Sequence, residues 1–400
     1  MQYAMLNRAT IRVADRTHVG ARVTAVIDRA LRLKNNANSC RKILAVLGIA
    51  LLAGGIITSS WAQDNLYVGD VGDNTIKCYN ATNGAYLRSS AGPSAGPLDG
   101  PRGLILDDQG ELLVVSQNPD LPIKGDILRY SDDGQIIPFL GALLSHDNPN
   151  APFAPRGMVQ SNSSLYVASE QGEDTIGDFG NGKIFVYTIE GKFLSNLKPP
   201  ADMISAGLFH PRGLVFGPDG LLYASNWPIL GDRTGNILRF NPKTGASLGI
   251  FASNTQYTNF RGPEGLVFGP DGNLYVAAFR PNTGDADNTD KILVFAGPRN
   301  SFPGKKPGDL LMKIPLDAVG QPRAIAIGLL FGPNGLLYVP IYHLDFSPGE
   351  IRLYKIDVPH NTFTSNIFVG ATVSPLIAPW YLTFENTNPA TLAYQGQQGQ

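Results

Sequence analysis

The sequence predicts an all-β protein, a six-bladed β-propeller with four-stranded antiparallel blades, from three observations. First, 45 glycines and 30 prolines interrupt 400 residues, and only 16% of the residues are charged. That composition is typical of many short strands joined by turns, and it argues against helical bundles and disordered chains. Second, one three-part motif recurs along the body of the chain. Third, the part that is missing from the first copy occurs near the C-terminus.

The recurrent motif corresponds to the first three strands of a blade. A Pro-x-Gly strand comes first, a Leu-rich strand follows it, and an isoleucine three residues before an aromatic residue marks the third strand. The Pro-x-Gly strand begins at Pro101, Pro155, Pro211 and Pro263, and in looser form at Pro322. The third-strand pairs are Ile76/Tyr79, Ile127/Tyr130, Ile184/Tyr187, Ile237/Phe240, Ile292/Phe295 and Ile351/Tyr354. Six copies within 63–400 predict six blades of about 56 residues each.

The first copy has no Pro-x-Gly strand in front of it. A matching strand begins at Pro379-Trp380-Tyr381, near the other end of the chain. We expect this strand, at about 379–386, to complete the N-terminal blade, because that arrangement closes a ring and leaves no open edge. The glycine of each motif is expected close to the axis, where a Cβ atom would crowd the neighbouring blade.

The first 62 residues differ in charge from the remainder. They contain nine of the 32 Lys and Arg residues and two of the 33 Asp and Glu residues, which leaves 23 basic and 31 acidic residues in 63–400. The near-neutral chain therefore combines a basic leader with an acidic body. Residues 1–39 form a basic extension, explained either by an over-extended start codon or by a cytoplasmic tail. An acidic body argues against nucleic acid as a partner, and we expect a monomer.

A segment typical of a secretory signal peptide lies at 40–62. A basic pair precedes fifteen apolar or small residues at 43–57, and small residues follow at Ser60 and Ala62. Fifteen residues are too few to cross a bilayer as a helix. We therefore predict a secreted or periplasmic protein without a stable membrane span after cleavage. An uncleaved anchor is the alternative.

Two strings of the body carry a resemblance to a known family. Residues 211–223 read Pro-Arg-Gly-Leu-Val-Phe-Gly-Pro-Asp-Gly-Leu-Leu-Tyr, and 263–276 read Pro-Glu-Gly-Leu-Val-Phe-Gly-Pro-Asp-Gly-Asn-Leu-Tyr-Val. They resemble the NHL-repeat and gluconolactonase–streptogramin lyase group of six-bladed propellers, over about 64–386. The resemblance implies the fold and leaves the chemistry open, because the group includes binding domains, lactonases and lyases.

The residue between Pro and Gly is expected near the axis, on the face that carries the long and variable loops. Around the ring these residues are Arg102, Arg156, Arg212, Glu264, Arg323 and Trp380. Planar guanidinium groups suit carboxylate, phosphate or sulfate groups. The pattern predicts a binding site for an anionic small molecule, glycan or peptide. In the alternative interpretation, each arginine pairs with an acid of a nearby loop, such as Asp70, Glu170 or Asp232.

The resemblance also implies metal-dependent alternatives. Lactonases of the group carry acids and asparagines at the ring positions, where they hold a divalent cation, and only Glu264 matches that pattern. Streptogramin lyase-like propellers use His and Glu with magnesium, and His210, Glu264 and His343 fall on three consecutive blades. These three residues are candidate catalytic bases or ligands of Ca²⁺ or Mg²⁺, with Glu264 the candidate metal ligand. The alternative function is therefore a lyase or hydrolase.

Overall fold

The computed structural model divides the chain into two units, Met1–Ala62 and Gln63–Gln400. The residues described are 64–119, 123–171, 180–228, 234–300, 302–370 and 376–396. The predicted signal peptide and N-terminal extension lie outside them, and both stay predictions. In the described part of the chain, no helix has the length and apolar character needed to cross a membrane.

Six antiparallel sheets form the six blades, and the propeller prediction is confirmed. Blade 1 contains β1 (Asn65–Asp70), β2 (Thr75–Asn80), β3 (Tyr86–Ser89) and, from the C-terminus, β25 (Pro379–Phe384). Blade 2 contains β4 (Pro101–Leu106), β5 (Leu112–Ser116), β6 (Asp126–Tyr130) and β7 (Phe139–Leu144). Blade 3 contains β8 (Pro155–Ser161), β9 (Ser164–Ser169), β10 (Lys183–Thr188) and β11 (Phe193–Asn196).

The other three blades repeat this plan. Blade 4 follows the short helix α1 (Ala201–Ser205) and contains β12 (Pro211–Phe216), β13 (Leu222–Asn226), β14 (Asn236–Phe240) and β15 (Ser247–Ala252). Blade 5 contains β16 (Pro263–Phe268), β17 (Leu274–Ala278), β18 (Lys291–Phe295) and β19 (Leu310–Pro315). Blade 6 contains β20 (Ala324–Ile325), β21 (Leu330–Phe331), β22 (Leu337–His343), β23 (Glu350–Asp357) and β24 (Thr362–Val369).

The C-terminal strand closes the ring, as the sequence predicts. Strand β25 pairs antiparallel with β1, with Leu66 opposite Phe384. The buried carboxylate of Asp70 accepts hydrogen bonds from the backbone N–H groups of Ile377 and Ala378, both at 2.8 Å, and from Lys77 Nζ at 2.6 Å. This carboxylate therefore holds the last strand of the chain to the first.

Glycines let the first strands of neighbouring blades approach closely at the axis. A Cβ atom added to Gly157 would lie 2.6 Å from the carbonyl oxygen of Arg212, and one on Gly213 would lie 2.6 Å from that of Glu264. Real Cβ atoms do not tolerate such contacts, so the expected reason for the glycines is confirmed. The third-strand aromatic residues are all buried in the core, at Tyr79, Tyr130, Tyr187, Phe240, Phe295 and Tyr354.

Each propeller face has its own connections. The face where the first strands begin also carries the loops between second and third strands, and we call it the entry face. The opposite face carries the short turns between first and second strands, and we call it the turn face. In two of these turns Gly220 and Gly272 adopt φ angles of 78° and 76°, which glycine reaches without the strain a side chain would bring.

The C-terminal segment 385–396 crosses the turn face after β25. The carbonyl oxygens of Pro389 and Ala390 accept hydrogen bonds from the backbone N–H groups of Gln160 and Phe216, in blades 3 and 4. Leu392 packs against the hydrophobic cores of several blades. It also lines the axial cavity, which has a volume of about 40 Å³. The segment therefore closes the channel at this face.

Candidate functional site

Six residues, one from each blade, surround the axis at the entry face. We call them the axial ring: Arg102, Arg156, Arg212, Glu264, Ile327 and Trp380. Five lie in the first strand of their blade, and that of blade 6 lies between β20 and β21. Each precedes the axial glycine of its blade or, in blade 1, Tyr381. The backbone carbonyl of every ring residue except Arg102 packs against the axial glycine of the preceding blade. The first strand of blade 6 is split into β20 and β21, so the structure places Ile327 at the position where the sequence register had Arg323.

Four further residues follow the second strands of blades 2 to 5, beside the axial ring. They are Gln117, Glu170, Trp227 and Phe279, and we call them the outer ring. Strand register explains their placement. Pro155 pairs with Ser169, and the register shifts between Pro155 and Met158, so Arg156 has no partner in the ladder. Glu170 directly follows Ser169, so both side chains belong to the entry-face edge of the sheet. The acid that the alternative interpretation requires for Arg156 is therefore supplied by its own blade.

Glu170 bridges two arginines of the axial ring. Its two carboxylate oxygens accept hydrogen bonds from Arg156 Nη2 at 2.9 and 3.0 Å, and Arg212 Nη2 lies 2.7 Å from its Oε2. Arg212 Nη1 also donates to Glu264 Oε1 at 3.0 Å. Burial alone would raise the pKa of Glu170, but the charges of Arg156 and Arg212 outweigh it and lower this pKa to about 2. Arg156 and Arg212 are therefore held by carboxylates.

Arg102 differs from these two arginines. Its side chain is buried and stacks on Trp380, with Cζ 3.9 Å from the ring centroid, and its Nε donates to Gln117 Oε1 at 2.8 Å. Among the described residues, no carboxylate forms an ion pair with it. Burial, reinforced by the positive charge of Arg156, lowers the pKa of the Arg102 guanidinium to about 9. Three guanidinium groups against two carboxylates leave this buried cluster with one excess positive charge.

Several buried polar atoms of this cluster lack a hydrogen-bond partner within the described chain. They are Arg156 Nε, Arg212 Nε, Glu264 Oε2, Tyr381 OH and Trp380 Nε1. Tyr381 stands where five other blades have glycine, lines the axial cavity and is only 9% exposed. Buried polar groups are normally paired with protein, water or a ligand. Five unpartnered polar atoms in one cluster therefore mark a site that receives water or a ligand.

The predicted His–Glu–His set is not brought together as a metal site. His210 is fully buried, and its Nδ1 and Nε2 lie 2.8 and 3.2 Å from the carbonyl oxygens of Glu170 and Gly207. His343 Nε2 lies 3.5 Å from Glu350 Oε1. Among the described residues, no three His, Cys, Asp or Glu side chains are arranged to hold a metal ion. The described residues of this set do not fit a divalent cation, and we derive no step through one.

Arg323 belongs to a separate, charge-balanced cluster. Its Nη2 and Nε lie 2.6 and 2.9 Å from the two carboxylate oxygens of Asp290. Arg280 contacts Asp290 at 3.2 Å and Asp317 at 2.8 Å. Two positive and two negative side chains therefore neutralise one another outside the axial ring. Of the other acids considered from the sequence, Asp70 pairs with Lys77, and position 232 lies outside the described residues.

Among the site residues that were not predicted from the sequence, Gln117 and Tyr381 contribute polar groups. Gln117 could have been found from its position directly after the second strand of blade 2, which is where Glu170 stands in blade 3. Tyr381 could have been found because the C-terminal strand reads Pro-Trp-Tyr where other copies read Pro-x-Gly.

No protein-family model matches the chain, and no curated protein matches it in sequence. Among solved structures, a luciferin-regenerating enzyme is 16% identical, with 80% of this chain and 92% of that chain covered and a TM-score of 0.48. A periplasmic gluconolactonase of Pseudomonas aeruginosa is 18% identical, with 76% and 81% covered and a TM-score of 0.48. A putative 6-phosphogluconolactonase of Bacteroides uniformis is 15% identical, with 76% and 82% covered and a TM-score of 0.47.

The six-bladed fold that the resemblance implies is confirmed by the six sheets of the structure. At these identities the likeness says nothing about chemistry, and the function must be argued from the axial ring itself.

Proposed function

We propose that this protein is a ligand-binding β-propeller that holds an anionic small molecule, or the acidic group of a glycan or peptide, at the axial ring. The observation that carries the proposal is Arg102, a buried guanidinium that is hydrogen-bonded and stacked but has no carboxylate partner among the described residues. A buried charge without a counter-ion is strongly unfavourable. An oxyanion at this position supplies the missing negative charge.

The chemistry around Arg102 suits such a ligand. A planar guanidinium presents its N–H groups in a fork that matches a carboxylate, and stacking on Trp380 keeps that fork in one orientation. The unpartnered groups nearby are mostly donors, among them Trp380 Nε1 and Arg156 Nε. A site with surplus donors and surplus positive charge recognises acceptor-rich anions rather than cations or neutral apolar molecules.

The proposal is tested by ligand-induced thermal stabilisation of the purified chain at constant ionic strength. The panel contains carboxylates, sugar acids, inorganic phosphate, sulfate and neutral sugars. We expect one or more anions to raise the melting temperature, and we expect Arg102→Gln to abolish the rise. Arg323→Gln is the matched control, because that arginine lies outside the axial ring, and it should leave the rise intact. Equal stabilisation of the Arg102→Gln protein would contradict the proposal.

The alternative function, a lyase or hydrolase, predicts catalytic turnover at the entry face. It requires turnover, for example the opening of a lactone or an elimination, that depends on His210, Glu264 or His343. Assaying the lactones of the panel's sugar acids for conversion to the open acids separates the two functions. Stabilisation by acids without conversion of lactones supports the binding function, whereas turnover lost in His343→Ala would favour the enzyme.

We also propose that the protein acts outside the cytoplasm, on the basis of the apolar run 43–57 and the small residues after it. N-terminal sequencing of the protein from the periplasm or medium tests this, with a new terminus directly after Ala62 expected. Recovery of an uncleaved chain from the cytoplasm would contradict export.

A further inference from the structure

We infer that the ligand of the axial ring is a monocarboxylate, a molecule with one negative charge, and that Glu264 disfavours ligands with two. This inference rests on the function proposed above and concerns the charge that the ligand carries. It follows from the balance of buried charges around the axis and from the position of Glu264 in the ring.

The charge balance allows one negative charge and no more. Glu170 and Glu264 already compensate two of the three buried guanidinium groups. One carboxylate at Arg102 makes the cluster neutral, whereas a second negative charge would be buried without compensation. The neighbouring cluster around Arg323 cannot supply a cation, since its two arginines are paired with Asp290 and Asp317.

Glu264 determines what the far side of the ring accepts. In the blade order Glu264 stands three blades from Arg102, on the opposite side of the axis. It is 1% exposed, its Oε1 accepts from Arg212, and its Oε2 has no partner within the described chain. A second carboxylate that reaches across the ring meets this like charge and is repelled. An amide or hydroxyl in the same place can donate to Oε2 instead.

The test uses pairs of ligands that match in size and differ by one charge. Succinamate and glutaramate are monoanions near neutral pH, and succinate and glutarate are the corresponding dianions. Affinities are measured by calorimetric titration at fixed ionic strength, with the wild-type chain, Glu264→Gln and the charge-retaining control Glu264→Asp. In the wild type we expect the monoanions to bind about tenfold more tightly than the dianions, as one like-charge contact in a partly desolvated site implies.

Glu264→Gln should abolish this preference, because the cluster then carries two excess positive charges. We expect the dianions to gain about tenfold in affinity relative to the monoanions. Glu264→Asp should keep the wild-type order. A role of Glu264 in folding alone would lower all affinities together and would not change their ratio. The melting temperature of each variant establishes that it is folded, and the wild-type ratio decides the inference even if Glu264→Gln does not fold.

Two outcomes overturn the inference while the proposed function survives. One is wild-type binding of dianions as tightly as monoanions, and the other is an unchanged preference in folded Glu264→Gln. If neither these ligands nor any other anion of the stabilisation panel binds, the proposed function fails, and the inference fails with it.

Discussion

The two ends of the axial channel are built from opposite kinds of side chain. At the entry face, three arginines and two glutamates surround the axis; all are buried except Arg156, which is partly buried. One positive charge has no counter-ion among the described residues. At the turn face, the apolar Leu392 closes the channel by packing against the cores of several blades. The turn-face end stabilises the ring, whereas the entry-face end carries unsatisfied groups, which are typical of functional sites.

A large effect is expected at the entry-face end from Glu170→Gln. Removal of this carboxylate leaves Arg156 and Arg212 with fewer counter-charges inside the protein. Breaking a buried ion pair in this way lowers the free energy of unfolding by about 3 kcal/mol. Urea unfolding measures it, with the exposed Glu190→Gln as control and a change of no more than about 0.5 kcal/mol expected there. An equally small loss for both variants would mean that the paired arginines do not depend on Glu170.

A smaller effect is expected at the turn-face end from Leu392→Ala. The side chain is half-buried, so its truncation should lower the free energy of unfolding by about 1–2 kcal/mol. Leu248→Ala, at a leucine that is 45% exposed, is the matched control. Anion binding at the entry face should be unchanged. A loss of anion binding in Leu392→Ala would show that the two ends are coupled. It would contradict the assignment of stability to one end and binding to the other.

The smallest effect concerns acid stability. The pKa of Glu170 is lowered in the folded protein to about 2, from an ordinary value near 4.5. A carboxyl group with a lowered pKa stabilises the folded state above its unfolded pKa, and this stabilisation is lost as the pH falls towards the folded pKa. Between pH 7 and 3.5 the wild type should lose about 1 kcal/mol more than Glu170→Gln. Parallel pH profiles for the two proteins would contradict the assigned role of Glu170.

The propeller and its closure could be predicted from the sequence because both follow from repeated short strings. The sequence did not decide whether Glu170 pairs with an arginine of the ring, because that contact depends on the strand register and on where the loop begins. Arg323 was assigned to the axial ring because the sequence does not reveal that the first strand of blade 6 breaks, which brings Ile327 there instead. The closure by Leu392 was not predicted, because segment 385–396 contains no part of the repeat.

The account depends most on the contrast between Arg102, which lacks a carboxylate, and Arg156, which has one. The most direct measurement is the free energy of unfolding of Arg102→Met and Arg156→Met without ligand. An apolar residue in place of an uncompensated buried charge is neutral or stabilising, whereas loss of a paired charge costs about 3–5 kcal/mol. We therefore expect Arg102→Met to be at least as stable as the wild type and Arg156→Met to be far less stable. Equal destabilisation by both substitutions would contradict the account.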